Sequence, residues 1–367
     1  MFSRRAFLTL PAAVAACSRR HKTTGFPGYA FVANQEGEAL VAVDLELMAV
    51  ERHIGLGAAP SQVVAGMTRP VVYALTPDNG SVHEIQVYRL SDARKVTVAS
   101  SAISISLSPD EKSLYVLARE PRSLISVELQ SFRPEWQLAL PEEPVEFAVA
   151  PEGKRAAISS ARGVWMVDLA ARRLSGPLHE GDFGAVQFRS PDGKVLMAAN
   201  RGERLLSLFD APSGRLLTHL PVSLRPDNMC SSRDGGQVFV TGEGMDAVVI
   251  VYPYHSFEIA ETVLAGRAPG AMAASNSLLF VTSPQSGAVS ILNIATYQVI
   301  AVTQVGSDPG FVVITPDDQY ALVLNRKSGD LAVLGVAAIT RNRYRQASLF
   351  TVIPVGSRPV SAAVRGV

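Results

Sequence analysis

Short apolar runs recur along the sequence at intervals of 39 to 43 residues, and each is followed by three more runs in a constant order. The runs are four to seven residues long, rich in Val, Ile, Leu and aromatic residues, and bounded by turn residues, which is typical of strands. Four strands in each of eight copies predict an all-β fold, a single β-propeller of four-stranded antiparallel blades. The first runs are centred on Phe31, Tyr73, Tyr115, Ala157, Leu196, Phe239, Phe280 and Ala321.

Eight first strands and eight fourth strands predict eight blades, whereas one degenerate copy would leave seven. A lone fourth strand at residues 358–364 follows the last copy. We therefore expect the N-terminal and C-terminal strands to meet in one blade and close the ring, which leaves no open seam. The propeller is predicted over residues 27–365, with an insert at 337–348 before the third strand of the eighth copy.

Turns of shared chemistry connect a fourth strand to the next first strand in five copies. Proline presets φ, an Asp or Glu bonds the backbone beyond it, and glycine tolerates positive φ, so these segments predict tight hairpin turns. They are SPDEK at Ser108, APEGK at Ala150, SPDGK at Ser190, SRDGG at Ser232 and TPDDQ at Thr315.

The N-terminal segment has the layout of an export signal. Arg4 and Arg5 precede an uncharged run from Ala6 to Ala16, which is too short to span a bilayer core of about 20 helical residues. The segment resembles a twin-arginine signal, and the residues before Cys17 resemble a lipobox, in which that cysteine is acylated. The alternative is a short amphipathic helix with a buried cysteine.

We therefore predict an export signal with a lipobox at 1–17 and a polar tether at 18–26. The protein is expected on the periplasmic side of the bacterial envelope, held to the membrane by a lipid at Cys17. Cys230 is the only other cysteine, so a lipidated Cys17 leaves no pair for an internal disulfide.

Charge argues against nucleic acid as a partner. The formal charge of the 367 residues is +1, and removal of residues 1–16 with their two arginines makes it −1. A nearly neutral domain has no general electrostatic attraction for nucleic acid. A closed ring of this kind is expected to be monomeric.

Two of the copies, PDGKVLMAANRGERLLSLFDAPSGRLLTHLPV and GSDPGFVVITPDDQYALVLNRKSGDLAVLGV, carry a recognisable pattern. They resemble the YVTN-type β-propeller repeat, found in bacterial exported and lipoprotein-like proteins, and the resemblance covers nearly all of 27–365. A more distant similarity, to the haem-d-binding eight-bladed propellers of the nitrite reductase family, implies a cofactor as an alternative to simple ligand binding.

Polar loop residues are the candidate binding site. In a propeller the loops after first strands and before fourth strands share one face, around the mouth of the central channel. Recurring arginines there would suit an anionic small ligand. Pairing of these arginines with the acids of the same loops would count against that hypothesis. The candidates are Asn34, Arg119, Arg162, Asn200, Arg201, Arg225, Arg267, Asn325 and Arg326.

His179 and His83 are candidate metal or haem ligands, because neutral imidazole is a common ligand; the alternative is that each is an ordinary loop residue. We predict no catalytic residues. The favoured function is a non-catalytic scaffold that binds a ligand or a periplasmic protein and needs no cofactor. The first alternative is a propeller that handles a haem-d-type or quinone cofactor in periplasmic redox metabolism. A lactonase-like hydrolase is the weaker alternative, and seven blades would be expected for it.

Overall fold

The predicted apolar runs form strands that assemble into eight four-stranded antiparallel sheets, arranged as the blades of a ring. This computed structural model describes residues 25–254, 256–336, 339 and 349–367. The predictions of an all-β propeller and of eight blades are confirmed. The predicted export signal, with Arg4, Arg5 and Cys17, and nearly all of the tether lie outside the described residues.

The blades are numbered in chain order, and the strands of each run from the inner strand, next to the ring axis, to the outer strand. Blade 1 contains β32 (Pro359–Gly366), β1 (Gly28–Asn34), β2 (Ala39–Asp44) and β3 (Ala49–Gly55); blade 2 contains β4 (Gln62–Ala65), β5 (Val71–Thr76), β6 (Ser81–Gln86) and β7 (Ser91–Thr97); blade 3 contains β8 (Ser101–Leu107), β9 (Ser113–Glu120), β10 (Ser123–Glu128) and β11 (Arg133–Ala139); blade 4 contains β12 (Pro144–Val149), β13 (Arg155–Ser160), β14 (Gly163–Asp168) and β15 (Arg173–Glu180).

The remaining four blades follow the same order. Blade 5 contains β16 (Phe183–Phe188), β17 (Val195–Asn200), β18 (Leu205–Asp210) and β19 (Leu216–Pro221); blade 6 contains β20 (Arg225–Ser231), β21 (Val238–Glu243), β22 (Ala247–Tyr252) and β23 (Glu258–Leu264); blade 7 contains β24 (Met272–Ala274), β25 (Leu278–Ser283), β26 (Ala288–Asn293) and β27 (Val299–Gln304); blade 8 contains β28 (Pro309–Ile314), β29 (Tyr320–Asn325), β30 (Asp330–Gly335) and β31 (Leu349–Pro354).

The inner strands surround the channel. Each inner strand contacts the inner strand of the next blade, and β28, β32 and β4 complete the circle. The second and third strands of each blade are almost wholly buried. In outer strands such as β3 and β7, most side chains are exposed and the others are only partly buried or, rarely, buried. The inner strand of each blade is the fourth strand of the preceding sequence copy, so each copy is shared between two blades.

The ring closes as predicted through a hydrogen-bonded pair of terminal strands. β1 pairs antiparallel with β32, with Phe31 opposite Ala363 and Val32 opposite Ala362. A register shift between Ala33 and Asn34 marks the mouth end of this pairing. Because β32 forms backbone hydrogen bonds with β1 along its length, blade 1 is four-stranded like the other blades.

Each interface between adjacent blades has its own apolar core. Leu40 of blade 1 and Ile85 of blade 2 belong to one such core, and Phe239 of blade 6 and Leu279 of blade 7 belong to another. Eight cores of this kind lie between the eight blades. Since a single sheet cannot bury both of its faces, stability depends on these contacts between neighbours.

The acidic turns have the predicted hydrogen bonds. Ser232 Oγ donates to Asp234 Oδ1 at 2.6 Å, and the Asp234 carboxylate accepts from the Gly236 amide at 3.0 Å. The corresponding bond joins Thr315 to Asp317 at 2.6 Å. Outside these turns, a single 3₁₀ turn at Pro77–Asn79 is the helical element of blade 2. None of the helical segments in the described chain is long and apolar enough to cross a membrane.

Candidate functional site

The mouth face is the end of the ring where the second strand of each blade ends and the inner strand begins. In blade 1, for example, it holds residues 35–38, between β1 and β2, and residues 355–358, between β31 and β32. The nine polar candidates lie on this face, because they lie near the ends of second strands, in the loops that lead into inner strands, or at the first residue of an inner strand. Antiparallel blades alone bring these distant segments together.

The three asparagines are buried and serve the architecture. Asn325 Nδ2 donates to the Val305 carbonyl at 3.1 Å, and Asn34 Nδ2 donates to the Val355 carbonyl. Asn200 Nδ2 donates to Glu203 Oε2 at 3.1 Å, and its Oδ1 accepts from the Glu203 amide at 3.0 Å. These amides hold the mouth loops together, and they are 0 to 2% exposed.

Five of the six candidate arginines form ion pairs with acids of the mouth loops. Such pairs neutralise the guanidinium groups, and those of Arg119, Arg201 and Arg225 with Asp182 join neighbouring blades. The pairs are Arg119 with Glu143 (3.1 Å), Arg162 with Glu142 (3.6 Å), Arg201 with Asp227, Arg225 with Asp182 and Glu243 (3.2 Å each), and Arg326 with Asp308 (2.8 Å). Among the described residues, Arg267 is exposed and forms no ion pair. Anion binding at the five paired arginines therefore requires displacement of a carboxylate of the protein.

Two of these arginines lie flat across the inner strand. A Cβ atom on Gly184 would collide with the guanidinium of Arg201, and one on Gly310 would collide with that of Arg326. In both places the backbone amide of the arginine donates to a backbone carbonyl of the preceding mouth loop. The acceptor is the Asp182 carbonyl for Arg201 (2.8 Å) and the Asp308 carbonyl for Arg326 (3.0 Å). The same pairing of an inner-strand glycine with a loop arginine thus brings a guanidinium group to the channel edge in blades 5 and 8.

Glu146, on the inner strand β12, is a charged residue of this site that the loop sequences do not predict. Its side chain is open to solvent at the mouth end of the channel, yet it is closely surrounded by protein. Desolvation raises the pKa of its carboxyl to about 7, with Arg201 lowering it and Asp227 raising it. Three successive blades contribute this group of charges.

His83 is enclosed within blade 2. Its side chain is 1% exposed, its Nδ1 lies 2.7 Å from Asp92 Oδ2, and its Nε2 lies 3.5 Å from Thr76 Oγ1. These contacts occupy both ring nitrogens. The structure therefore places His83 in a polar network between strands and away from the channel.

His179 lies on the outer strand of blade 4, beside His219 of blade 5. Their ring centroids are 4.9 Å apart, and His219 Nδ1 lies 3.0 Å from Ser207 Oγ. Burial and the neighbouring His179 lower the pKa of His219, which favours the neutral imidazole. Among the described residues, no three His, Cys, Asp or Glu side chains are grouped closely enough to hold a metal ion.

A polar cleft of about 560 Å³ opens on the mouth face between blades 7 and 8. Its walls come from the loop after β25, the loop before β28 and the loop after β29. The lining residues are Pro284, Gln285, Ser286, Gly287, Gln304, Val305, Gly306, Ser307, Asp308 and Lys327. A cleft of this size accommodates a small molecule.

Comparison with known proteins establishes the class of fold. Dihydro-haem d1 dehydrogenase NirN superposes with a TM-score of 0.74 at 13% identity, covering 92% of this chain and 75% of that protein. Hydrazine synthase of Kuenenia stuttgartiensis superposes with a TM-score of 0.59 at 18% identity, covering 76% and 96%. A provisionally assigned 6-phosphogluconolactonase of Bacteroides fragilis superposes with a TM-score of 0.63 at 14% identity, covering 94% and 99%.

These likenesses show a shared β-propeller fold and no shared activity, because the identities are low and the three proteins differ in what they do. No family model matches the sequence, and no curated protein matches it. Membership of the YVTN-type repeat family therefore stays a prediction.

Proposed function

We propose that this chain is an exported β-propeller, tethered to the membrane through Cys17, that acts as a non-catalytic binding scaffold with its mouth face as the binding surface. The arginine pair at Arg4 and Arg5 and the residues before Cys17 support export and lipidation. A ring that closes through β1 and β32 also suits a route that carries folded cargo.

The polar cleft between blades 7 and 8 is the observation that carries the binding proposal. Within the described chain, Lys327 forms no ion pair, whereas Arg326 beside it is neutralised by Asp308 at 2.8 Å. The cleft therefore combines the unpaired positive charge of Lys327 with the amide group of Gln285, whereas the amide nitrogen of Gln304 donates to the carbonyls of Ser286 and Gly287. This combination suits a small ligand that carries a carboxylate or a phosphate, and the same surface would recognise an acidic side chain of a partner protein.

Ligand binding can be tested with a matched pair of lysine variants. Lys327→Gln removes the charge at the cleft, and Lys154→Gln removes an exposed lysine from a turn on the opposite face. We expect some members of a panel of small carboxylates and phosphates to raise the Tm of the native chain and of Lys154→Gln, and to lose most of that effect with Lys327→Gln. Equal responses of both variants would contradict the assignment of the cleft.

The cofactor alternative predicts a different result, which an absorbance titration detects. Haem binding needs a ligand for the iron and cations for the haem carboxylates. Neither His83, which is enclosed, nor His179, which faces His219, lies on an inner strand. A new absorbance band on titration with haems or quinone cofactors would replace the scaffold proposal with the cofactor-handling one, and turnover of a lactone would favour the hydrolase.

A further inference from the structure

Exposed large apolar side chains on the face opposite the mouth include three in turns of blades 1 and 2, and Val367 follows β32 on the same face. Leu47 is 60% exposed in the turn between β2 and β3, and Met67 is 69% exposed in the turn between β4 and β5. Tyr88 is 73% exposed in the turn between β6 and β7. These three turns lie at the same end of adjacent blades, so the three side chains lie on one face of the ring, and we name this surface of blades 1 and 2 the tether face.

The turns that display these side chains are held by hydrogen bonds. The amide of Leu47 donates to Asp44 Oδ1 at 2.8 Å, and the amide of Thr68, next to Met67, donates to Glu111 Oε2 at 2.9 Å. Exposed apolar side chains on such fixed turns contribute nothing to the core of the ring. Grouped on one face, they indicate a surface that is covered in use.

The N-terminal segment leaves the ring at this same face. The backbone of Gly25 packs against that of Leu45 and Glu46, directly before the turn that carries Leu47. Residues 18–24 then connect Gly25 to Cys17. Seven extended residues reach at most about 25 Å, so a lipid on Cys17 keeps the tether face within that distance of the bilayer.

We propose that the tether face rests on the surface of an anionic phospholipid bilayer, with Leu47, Met67 and Tyr88 entering the headgroup region and the mouth pointing away from the membrane. This inference rests on the proposed lipid tether. Tyrosine favours the membrane interface, because its ring is apolar and its hydroxyl is polar. Arg52 donates to the Arg89 carbonyl at 3.4 Å across blades 1 and 2, and these two exposed guanidinium groups offset the nearby exposed carboxylates of Glu46 and Glu51, so this surface does not repel anionic headgroups.

A bilayer fits this surface better than a second copy of the chain. A stable dimer interface buries about 1,200 Å² or more in total around a continuous apolar centre. The tether face instead has three apolar tips separated by polar turns. Separate tips of this kind enter a soft interface without needing a complementary partner.

The orientation can be measured by fluorescence quenching of the full chain, purified from membranes and placed in vesicles of phosphatidylethanolamine with brominated phosphatidylglycerol. Tyr88→Trp reports on the tether face, and Leu264→Trp is the matched control. Leu264 is 72% exposed at the mouth end of β23. The native chain, with Trp136 and Trp165, provides the background signal.

We expect the lipid to quench the added fluorescence of Tyr88→Trp by about twofold or more and that of Leu264→Trp little. Adding Leu47→Ser and Met67→Ser to Tyr88→Trp should reduce the quenching while the chain stays on the vesicles and keeps its Tm. Equal quenching of both reporters, or crosslinks at Tyr88 between two copies, would overturn the proposal and leave the tether intact. Failure of the full chain to associate with vesicles would overturn the tether itself.

Discussion

The carboxyl of Glu146 should make the stability of the propeller depend on pH around neutrality. In the folded chain its pKa is raised from 4.5 to about 7, mainly by desolvation. Below pH 4.5 the carboxyl of Glu146 is neutral in both the folded and the unfolded state, so it does not change the free energy of unfolding. As the pH rises towards 7 and above, the folded state must hold a carboxylate that the unfolded state holds more easily, so stability falls.

The size of this effect follows from the change in proton affinity. At 1.36 kcal/mol for each tenfold change, a pKa raised from 4.5 to about 7 corresponds to about 3.4 kcal/mol. Solvent in the channel screens the Glu146 carboxylate, so we expect about 1 to 2 kcal/mol in practice. Glu146→Gln, which is uncharged, should therefore raise the Tm at pH 8 by about 2 to 4 °C and change it little near pH 4.5.

Calorimetry of the variant and the native chain across this pH range provides the test, with Glu36→Gln as the control. Glu36 lies exposed in the loop after β1, so Glu36→Gln removes a carboxylate from the mouth face without altering the surroundings of Glu146. A direct carbon NMR titration of Glu146 should give a midpoint that moves up with Arg201→Met and down with Asp227→Asn. A Tm difference that is the same at pH 4.5 and pH 8, or a midpoint near 4.5, would refute the reasoning.

Three further changes test other parts of the structure. Gly184→Ala should lower the free energy of unfolding by about 1 to 2 kcal/mol, because the new Cβ displaces Arg201, and calorimetry measures this loss. Ser232→Ala should remove the hydrogen bond that lowers the pKa of Asp234 and cost about 0.5 to 1 kcal/mol at pH 7, with less cost as the pH falls and that carboxylate is protonated. Cys230 should resist a thiol reagent at pH 8 in the native chain and react once it is unfolded, because burial raises the pKa of its thiol to about 12.

The fold was predictable because its determinants are local and repeated. Short continuous apolar runs such as the one at Phe31 specify strands, and turns such as that at Ser232 specify hairpins without reference to distant residues. Repetition of this unit eight times then determines the ring. The loops that share the mouth face were also predictable, since strand direction alone determines which end of a blade each loop occupies.

The chemistry of the mouth was less predictable, because it depends on which side chain meets which across blades. A loop position does not reveal whether an asparagine such as Asn325 faces solvent or a backbone carbonyl. It also does not reveal that Arg201 reaches forward to Asp227 in the next blade, whereas Arg326 turns to Asp308 within its own.

Glu146 shows why an ionisable residue on an inner strand is not predicted from the sequences of the mouth loops. The alternation Val145-Glu146-Phe147 predicts a half-buried strand whose polar residue faces solvent, and a residue in that position normally has an ordinary solvated side chain. In a closed ring the solvent that Glu146 faces lies in the central channel, where Arg201 and Asp227 of the next two blades act on the carboxyl and the surrounding protein desolvates it. Only closure of the ring converts an ordinary strand position into one with a strongly altered proton affinity. Polar residues on the inner strands, together with the loop arginines, therefore identify where the mouth of a propeller can respond to a ligand or to pH.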